Sequence, residues 1–265
     1  MSLPYALQLY SVKEFTAVDF EGTVSRVKDF GYDGVELAGL CGKTITEIKD
    51  ILDKVGLELV SAHLSVDELT NDEFLSEFAK TGAKYAVIPW MSVEPNKESV
   101  ETCIKLIREC GEKCKKHGLQ LLYHNHDFEY AVVDGKFILD TYYDEIPANL
   151  LQTEIDTCWA NVGGVNPAEY LLKYSDRSPV VHLKDFVDSK SENMYALIGN
   201  SDAKEELTGA FEFRPVGYGV QNIPDIIDAA QKAGAKYLVV EMDSPALGKD
   251  SMECAKMSID YLKSL

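Results

Sequence analysis

Leu121-Leu122-Tyr123-His124-Asn125-His126 is an apolar run that turns polar at its C-terminal end, and its pattern decides the fold. Seven other runs are built the same way: Leu7-Gln8-Leu9-Tyr10, Gly34-Val35-Glu36, Val60-Ser61-Ala62-His63, Val87-Ile88-Pro89-Trp90, Gln152-Thr153-Glu154-Ile155-Asp156, Val180-Val181-His182-Leu183-Lys184 and Val239-Val240-Glu241-Met242-Asp243. A near-continuous apolar run suits a strand covered on both faces, as in a parallel sheet. A polar side chain at the end of each such strand gathers reactive groups at one mouth of a barrel. Four of the five histidines stand at such ends.

Helices are predicted between the runs, at Phe15–Phe30, Ile45–Val55, Phe74–Thr81, Ser99–His117 and Ile223–Ala233, each followed by a glycine. Glycine ends a helix in the left-handed conformation without a Cβ penalty. Strand–helix alternation over the whole chain implies a parallel sheet wound by right-handed crossovers. Eight strands favour a closed (β/α)8 TIM barrel of class α/β over an open doubly wound sheet. The first turn reads Gln8-Leu9-Tyr10-Ser11 where a dinucleotide fold would carry its glycine-rich phosphate loop. Two long connections, about Phe186–Tyr218 and Phe128–Ile146, are expected to form a binding loop and a small flap on the same face as the strand ends. With no linker, repeat or low-complexity tract, residues 1–265 read as a single domain.

Hydrophobic residues make up 46% and charged residues 26%, an ordinary globular balance. The formal net charge of −18 disfavours nucleic acid, whose binding relies on Lys and Arg neutralising phosphates. Anionic membrane surfaces are disfavoured for the same reason. The start, Met1-Ser2-Leu3-Pro4-Tyr5, lacks the basic and apolar regions of a signal peptide. The six cysteines form no CxxC pair, and Cys103, Cys110 and Cys114 share one helical face, so reduced core thiols and a cytoplasmic home are expected.

Strand alternation puts residues two apart on one face, so Glu154 with Asp156, His182 with Lys184, and Glu241 with Asp243 each share a face, as do His124 and His126 if strand five extends that far. Buried charge is costly unless paired or metal-bound. A divalent metal is the economical explanation, with His124, Asp156, His182 and Glu241 as ligands from the last four strands. Mixed imidazole and carboxylate donors suit manganese, zinc, cobalt or iron, whereas magnesium and calcium prefer oxygen alone. Each residue has a plainer reading beside this one. His182 is otherwise a hydrogen-bonded core histidine, and Asp156 the cap of a helix starting near Thr157. His126, with Asp127, either shapes a turn or takes the place of His124 as ligand. Trp90 is barrel packing or a wall for a sugar face. His117, at a helix C-terminus, is read as structural.

The motifs Tyr-His-Asn-His-Asp-Phe-Glu (123 to 129), Glu-Ile-Asp-Thr-Cys-Trp (154 to 159) and Val-His-Leu-Lys-Asp (181 to 185) resemble the sugar phosphate isomerase/epimerase superfamily, with its xylose isomerase-like TIM barrel. The opening Leu-Gln-Leu-Tyr-Ser-Val, Gly-Tyr-Asp-Gly-Val-Glu-Leu (31 to 37) and Pro-Val-Gly-Tyr-Gly-Val (215 to 220) fit as well, so the resemblance covers essentially the whole chain. Members include ketose 3-epimerases, hydroxypyruvate isomerase, inosose dehydratase and an apurinic-site endonuclease branch. The superfamily's usual metal set is Glu, Asp, His and Glu, which implies roles for Asp156, His182 and Glu241. The departure is at strand five, where relatives commonly read Glu-Asn-His and this chain reads His124-Asn125-His126.

The expected activity is a divalent-metal-dependent isomerase or epimerase of a keto sugar, acting through an enediolate. Glu241 is the first choice of base and Glu154 the second, with Lys184 polarising a substrate oxygen or protonating a leaving hydroxyl. The alternative is a sugar lyase or dehydratase of inosose or 3-keto-glycoside type, favoured by loss of the strand-five Glu; a non-catalytic sugar-binding barrel is the third. Gln8, Glu36, His63, Trp90 and His126 are candidate contacts for a small sugar. Arg214 is either a further contact or one half of a surface salt bridge. No clustered basic residues mark a phosphate pocket, so an unphosphorylated sugar is expected. The resemblance also allows a homo-oligomer.

Overall fold

The computed structural model describes residues 3–190 and 211–265. Eight parallel strands close into a barrel: β1 (Tyr5–Gln8), β2 (Gly34–Ala38), β3 (Glu58–His63), β4 (Tyr85–Ile88), β5 (Gln120–His124), β6 (Gln152–Asp156), β7 (Val180–Leu183) and β8 (Tyr237–Val240). Each strand is hydrogen-bonded to its neighbours in sequence, and β8 returns to β1. The expected (β/α)8 architecture and single domain are therefore what the chain adopts.

The barrel interior is apolar at one end and polar at the other. Ala6, Val60, Tyr85, Val87, Leu122, Val180 and Val239 form one buried cluster. Two residues further along, Leu122 gives way to His124, Val180 to His182 and Val239 to Glu241. Alternation keeps these pairs on one face, so the apolar plug is roofed by polar groups. A larger cluster joins the outer faces of the strands to the helices, including Val24, Ile48, Leu52, Phe78 and Ile107. Register aligns His124 with Glu154, Asp156 with His182, and Gln8 with Glu36.

Local signals set the element ends. Capping boxes start the helices Ile45–Val55, Val66–Thr70 and Ser251–Ser264, through Thr44 with Glu47, Ser65 with Glu68, and Asp250 with Glu253. The helix expected over Phe15–Phe30 is broken into Lys13–Thr16 and Phe20–Phe30, because the Asp19 side chain accepts from Gly22 N and starts a new helix. The first run is strand only to Gln8; Leu9–Val12 is a 3-10 turn, begun by Tyr10 N donating to the Gln8 side chain. Strand five ends at His124, so His126 lies beyond it.

After β5 comes a two-stranded ribbon, Val132–Val133 with Lys136–Phe137, and then the helix Ile138–Glu145. After β7, Asp185–Val187 pairs antiparallel with Glu212–Arg214; the rest of the loop expected there, 191–210, lies outside the described residues. The Asp185 carboxylate accepts from Gly217 N, Gly219 N and Gln221 N, which draws the returning segment against the barrel mouth. A Cβ on Gly219 would stand 2.2 Å from Asp185 Oδ1, so only glycine permits this approach. All six cysteines are unpaired, as expected. Among the described residues no helix is long and apolar enough to cross a membrane.

Candidate active site

His124, Asp156, His182 and Glu241 converge at the C-terminal mouth of the barrel, each offering one ligand atom within 4.8 Å of the others. All four are buried. His182 Nδ1 lies 3.0 Å from Glu241 Oε2, and His124 Nε2 lies 3.8 Å from Asp156 Oδ2 and 4.0 Å from Glu241 Oε2. The two readings of Asp156 are compatible. Its Oδ1 accepts from Trp159 N at 2.8 Å and caps the helix Thr157–Val162, while its Oδ2 is buried with no hydrogen-bond partner. An orphaned carboxylate oxygen facing two imidazoles and a second carboxylate fits a divalent cation of the manganese, zinc or cobalt kind.

A second polar layer lies one step deeper. Glu154 Oε1 is 2.8 Å from His63 Nε2, 3.1 Å from His182 Nε2 and 3.3 Å from His124 Nδ1. Glu36 Oε1 is 2.8 Å from His182 Nε2 and accepts from Gln8 Nε2 at 2.6 Å, while Glu36 Oε2 accepts from Ser61 Oγ. Burial pulls against charge on His63, yet Glu36 and Glu154 beside it raise its imidazole to about 10. His182 is likewise raised well above its ordinary value, burial being outweighed by Glu154 and Glu36. His124 goes the other way, held well below by burial and by the neighbouring His182.

Lys184 forms the opposite wall. Its Nζ lies 2.7 Å from Asp243, 3.3 Å from Glu241 and 3.7 Å from Asp156, and 5.2 Å from the ring centres of Trp159 and Phe213. Burial opposes its charge, but Asp243, Glu241 and Asp156 raise it well above the usual lysine range. Burial also raises Asp156, to about 7, against the pull of Lys184. Glu241 is lowered from its usual range: burial resists ionisation, and Lys184 and His182 overcome it.

A cavity of about 260 Å³ opens onto these groups, lined among others by Tyr10, His63, Trp90, His124, His126, Lys184, Glu241 and Asp243. A larger surface hollow of about 790 Å³ beside Leu3 and Leu265 is lined by none of the residues of the metal-like clusters. Of the predicted sugar contacts, His63, Trp90 and His126 line the cavity. Gln8 and Glu36 are fully buried outside its lining, bound to each other. Arg214 is paired with Glu212 on the ribbon and does not reach the cavity lining. His126 stacks on Phe128 and packs against Trp159, at 5.5 and 5.3 Å between ring centres. His117 bonds Asp72 at 2.8 Å, the structural part expected of it.

Glu129 escaped the sequence reading as an individual residue. It lies on the 3-10 turn Phe128–Tyr130, past the strand, where no alternation marks it. Fully buried, it accepts from Tyr123 Oη and from His126 N, both at 2.8 Å, and so ties down the turn that carries His126. Burial pushes its carboxyl up to about 8, against the pull of Tyr123. The folded state therefore holds this proton more tightly than the unfolded chain does. The resulting stability is full below pH 4.5 and is lost as pH rises through about 8. Glu129→Gln is expected to remove that slope and to gain on the order of a few kcal/mol over the native protein at pH 8. Urea unfolding of both proteins at pH 5 and pH 8 checks it; equal differences at the two pH values would contradict it.

A TIM barrel whose C-terminal mouth holds interleaved imidazoles and carboxylates is an enzyme scaffold of a recognisable class. The chain belongs to the xylose isomerase-like TIM barrel family, whose model matches residues 24–265. Among curated relatives, an inosose dehydratase of Geobacillus kaustophilus is 26% identical over 188 residues, covering 61% of this chain and 60% of that protein. One from Clostridium beijerinckii is 24% identical over 275 residues, covering 92% and 89%. Among solved structures, a sugar phosphate isomerase/epimerase from Parabacteroides distasonis superposes with a TM-score of 0.79 at 21% identity, covering 100% of this chain and 94% of that one. An L-ribulose 3-epimerase superposes with a TM-score of 0.70 at 13% identity, covering 100% and 94%. These two show the fold.

Proposed function

We propose that the chain is a divalent-metal-dependent lyase or dehydratase, which removes the proton beside the ketone of an uncharged keto sugar or keto-cyclitol and expels the β-oxygen. The observation that carries this reading is the asymmetry of the mouth. Glu241, just past the end of β8, presents a carboxylate, while the opposing position at the end of β5 presents His124, an imidazole whose charged form burial and the neighbouring His182 disfavour. Epimerisation at one carbon calls for a base on each face. Elimination calls for one base and one acid, which are different groups.

His124, Asp156, His182 and Glu241 would hold the ion, which when bound would stabilise negative charge on the ketone oxygen. Glu241, ionised at neutral pH, accepts the α-proton. Lys184 lines the same cavity and donates a proton to the departing oxygen, so that a carbon–carbon double bond forms and water or an alcohol leaves. Glu241 Oε2 and Lys184 Nζ are 3.3 Å apart, close enough for the captured proton to return to the lysine and close the cycle. Trp90 and Tyr10 supply flat walls and His63 and His126 hydrogen bonds, a lining matched to a polyhydroxylated ring. Lys184, the lysine of the described lining, is tied to Asp243, which favours an unphosphorylated substrate. The relatives named for dehydration of inosose support this choice. Six unpaired cysteines suit a reducing, cytoplasmic setting.

Keto-sugar isomerisation or epimerisation is the second reading. Glu154 Oε1 and Glu241 Oε2 lie 3.1 and 3.0 Å from opposite nitrogens of His182, so two carboxylates do flank the centre. Incubation with inosose and with unphosphorylated keto sugars in deuterated water, followed by NMR, separates the two. A product lacking the elements of water or alcohol is expected. Deuterium beside the carbonyl at constant composition would favour the second reading, and neither outcome with any substrate would contradict both.

A further inference from the structure

Every imidazole has two nitrogens, and the two histidines of the proposed metal set direct their second ones the same way. His182 faces Glu241 through Nδ1 at 3.0 Å, and through Nε2 it faces Glu36 at 2.8 Å and Glu154 at 3.1 Å. His124 turns Nε2 towards Asp156 and Nδ1 towards Glu154, at 3.8 and 3.3 Å. With His63, these inner atoms make a second cluster of metal-like spacing: His63, His124, Glu154 and His182. The outer and inner clusters thus share both histidines, each through opposite nitrogens.

That sharing decides what the inner cluster does. A neutral imidazole carries one lone-pair nitrogen and one N–H. Ions in both clusters at once would strip the last N–H from both shared rings. One ion in the outer cluster leaves each ring an inward N–H that needs an acceptor, and Glu154 Oε1 is within reach of both. Resting on the outer metal site proposed above, we infer that Glu154, with Glu36, is a positioning pair that accepts the inward N–H groups of His182 and His124 and so fixes which nitrogens face the ion. His63 completes the layer, its Nε2 lying 2.8 Å from Glu154 and 3.1 Å from Glu36. The sequence reading of Glu154 as a second base gives way here to a role exercised through the histidines.

The test uses Zn²⁺ with chelator-stripped protein, reading affinity by competition against a chromophoric chelator and histidine ring ¹⁵N shifts by NMR. The native chain is expected to bind one equivalent, with His182 coordinated through Nδ1 and His124 through Nε2, the other nitrogen of each protonated. Glu154→Gln, with its fold checked by circular dichroism, is expected to weaken Zn²⁺ roughly 10- to 100-fold and to shift both rings. Unchanged affinity and unchanged ring shifts in that variant, with one ion still bound, would overturn the positioning role alone. Coordination of His182 through Nε2 in the native protein would overturn it whether or not the variant folds. Two equivalents bound by the native protein would also overturn it, making the inner cluster a metal site that uses the unpartnered Glu154 Oε2. No Zn²⁺ bound at all would overturn the outer site as well.

Discussion

Glu241→Gln lowers turnover by about 10²- to 10⁴-fold while the barrel stays folded. The substitution keeps the shape of the side chain and removes the charge that accepts the α-proton and faces His182 Nδ1 at 3.0 Å. Lys184 is not orphaned by it, because Asp243 remains at 2.7 Å and Asp156 at 3.7 Å. Stability is therefore expected to change far less than rate. Steady-state kinetics and thermal unfolding of the same preparation check both halves. Near-native activity would show that another group is the base.

Lys184→Met is expected to have the largest effect on stability. Lys184 is 1% exposed, and its Nζ lies within 4 Å of the carboxylates of Asp156, Glu241 and Asp243. Removing one partner of a buried charge cluster costs about 3–5 kcal/mol, here chiefly because the buried Asp243 carboxylate loses the lysine at 2.7 Å. Methionine fills the space between Trp159 and Phe213, so the loss reports charge and not a cavity. Mildly acidic conditions, where Asp156 with its carboxyl raised to about 7 takes up a proton, should recover part of it. Urea unfolding at pH 7 and pH 5.5 measures both effects. A variant as stable as the native chain at pH 7 would mean that the cluster is not charged as described.

The barrel was legible because eight apolar runs with polar ends leave few other arrangements; strand alternation applies to Glu154 and Asp156, whereas His126, Lys184 and Asp243 lie past the ends of their strands. Depth was not legible. Glu154 and Asp156 share a face, and two residues along a strand separate them by about 6.6 Å. One sits among three imidazoles while the other faces the metal set. Gln8 and Glu36 look like sugar contacts in sequence for the same reason, and their buried pairing depends on a register between β1 and β2 that no single run encodes. Glu129 was missed because a 3-10 turn has no alternation to betray a buried carboxyl. The position most informative in sequence, His124, keeps its weight: the register with Glu154 and the approach to Asp156 put it in both clusters.

The central claim is that the mouth of the barrel holds one divalent ion on which turnover depends. Elemental analysis of the chain after chelation and Mn²⁺ reloading, paired with activity on the substrate found by NMR, tests it most directly. About one Mn²⁺ per chain is expected, with activity lost on chelation, restored on reloading, and neither restored in Asp156→Asn. Full turnover by chelated protein that holds almost no metal would contradict it.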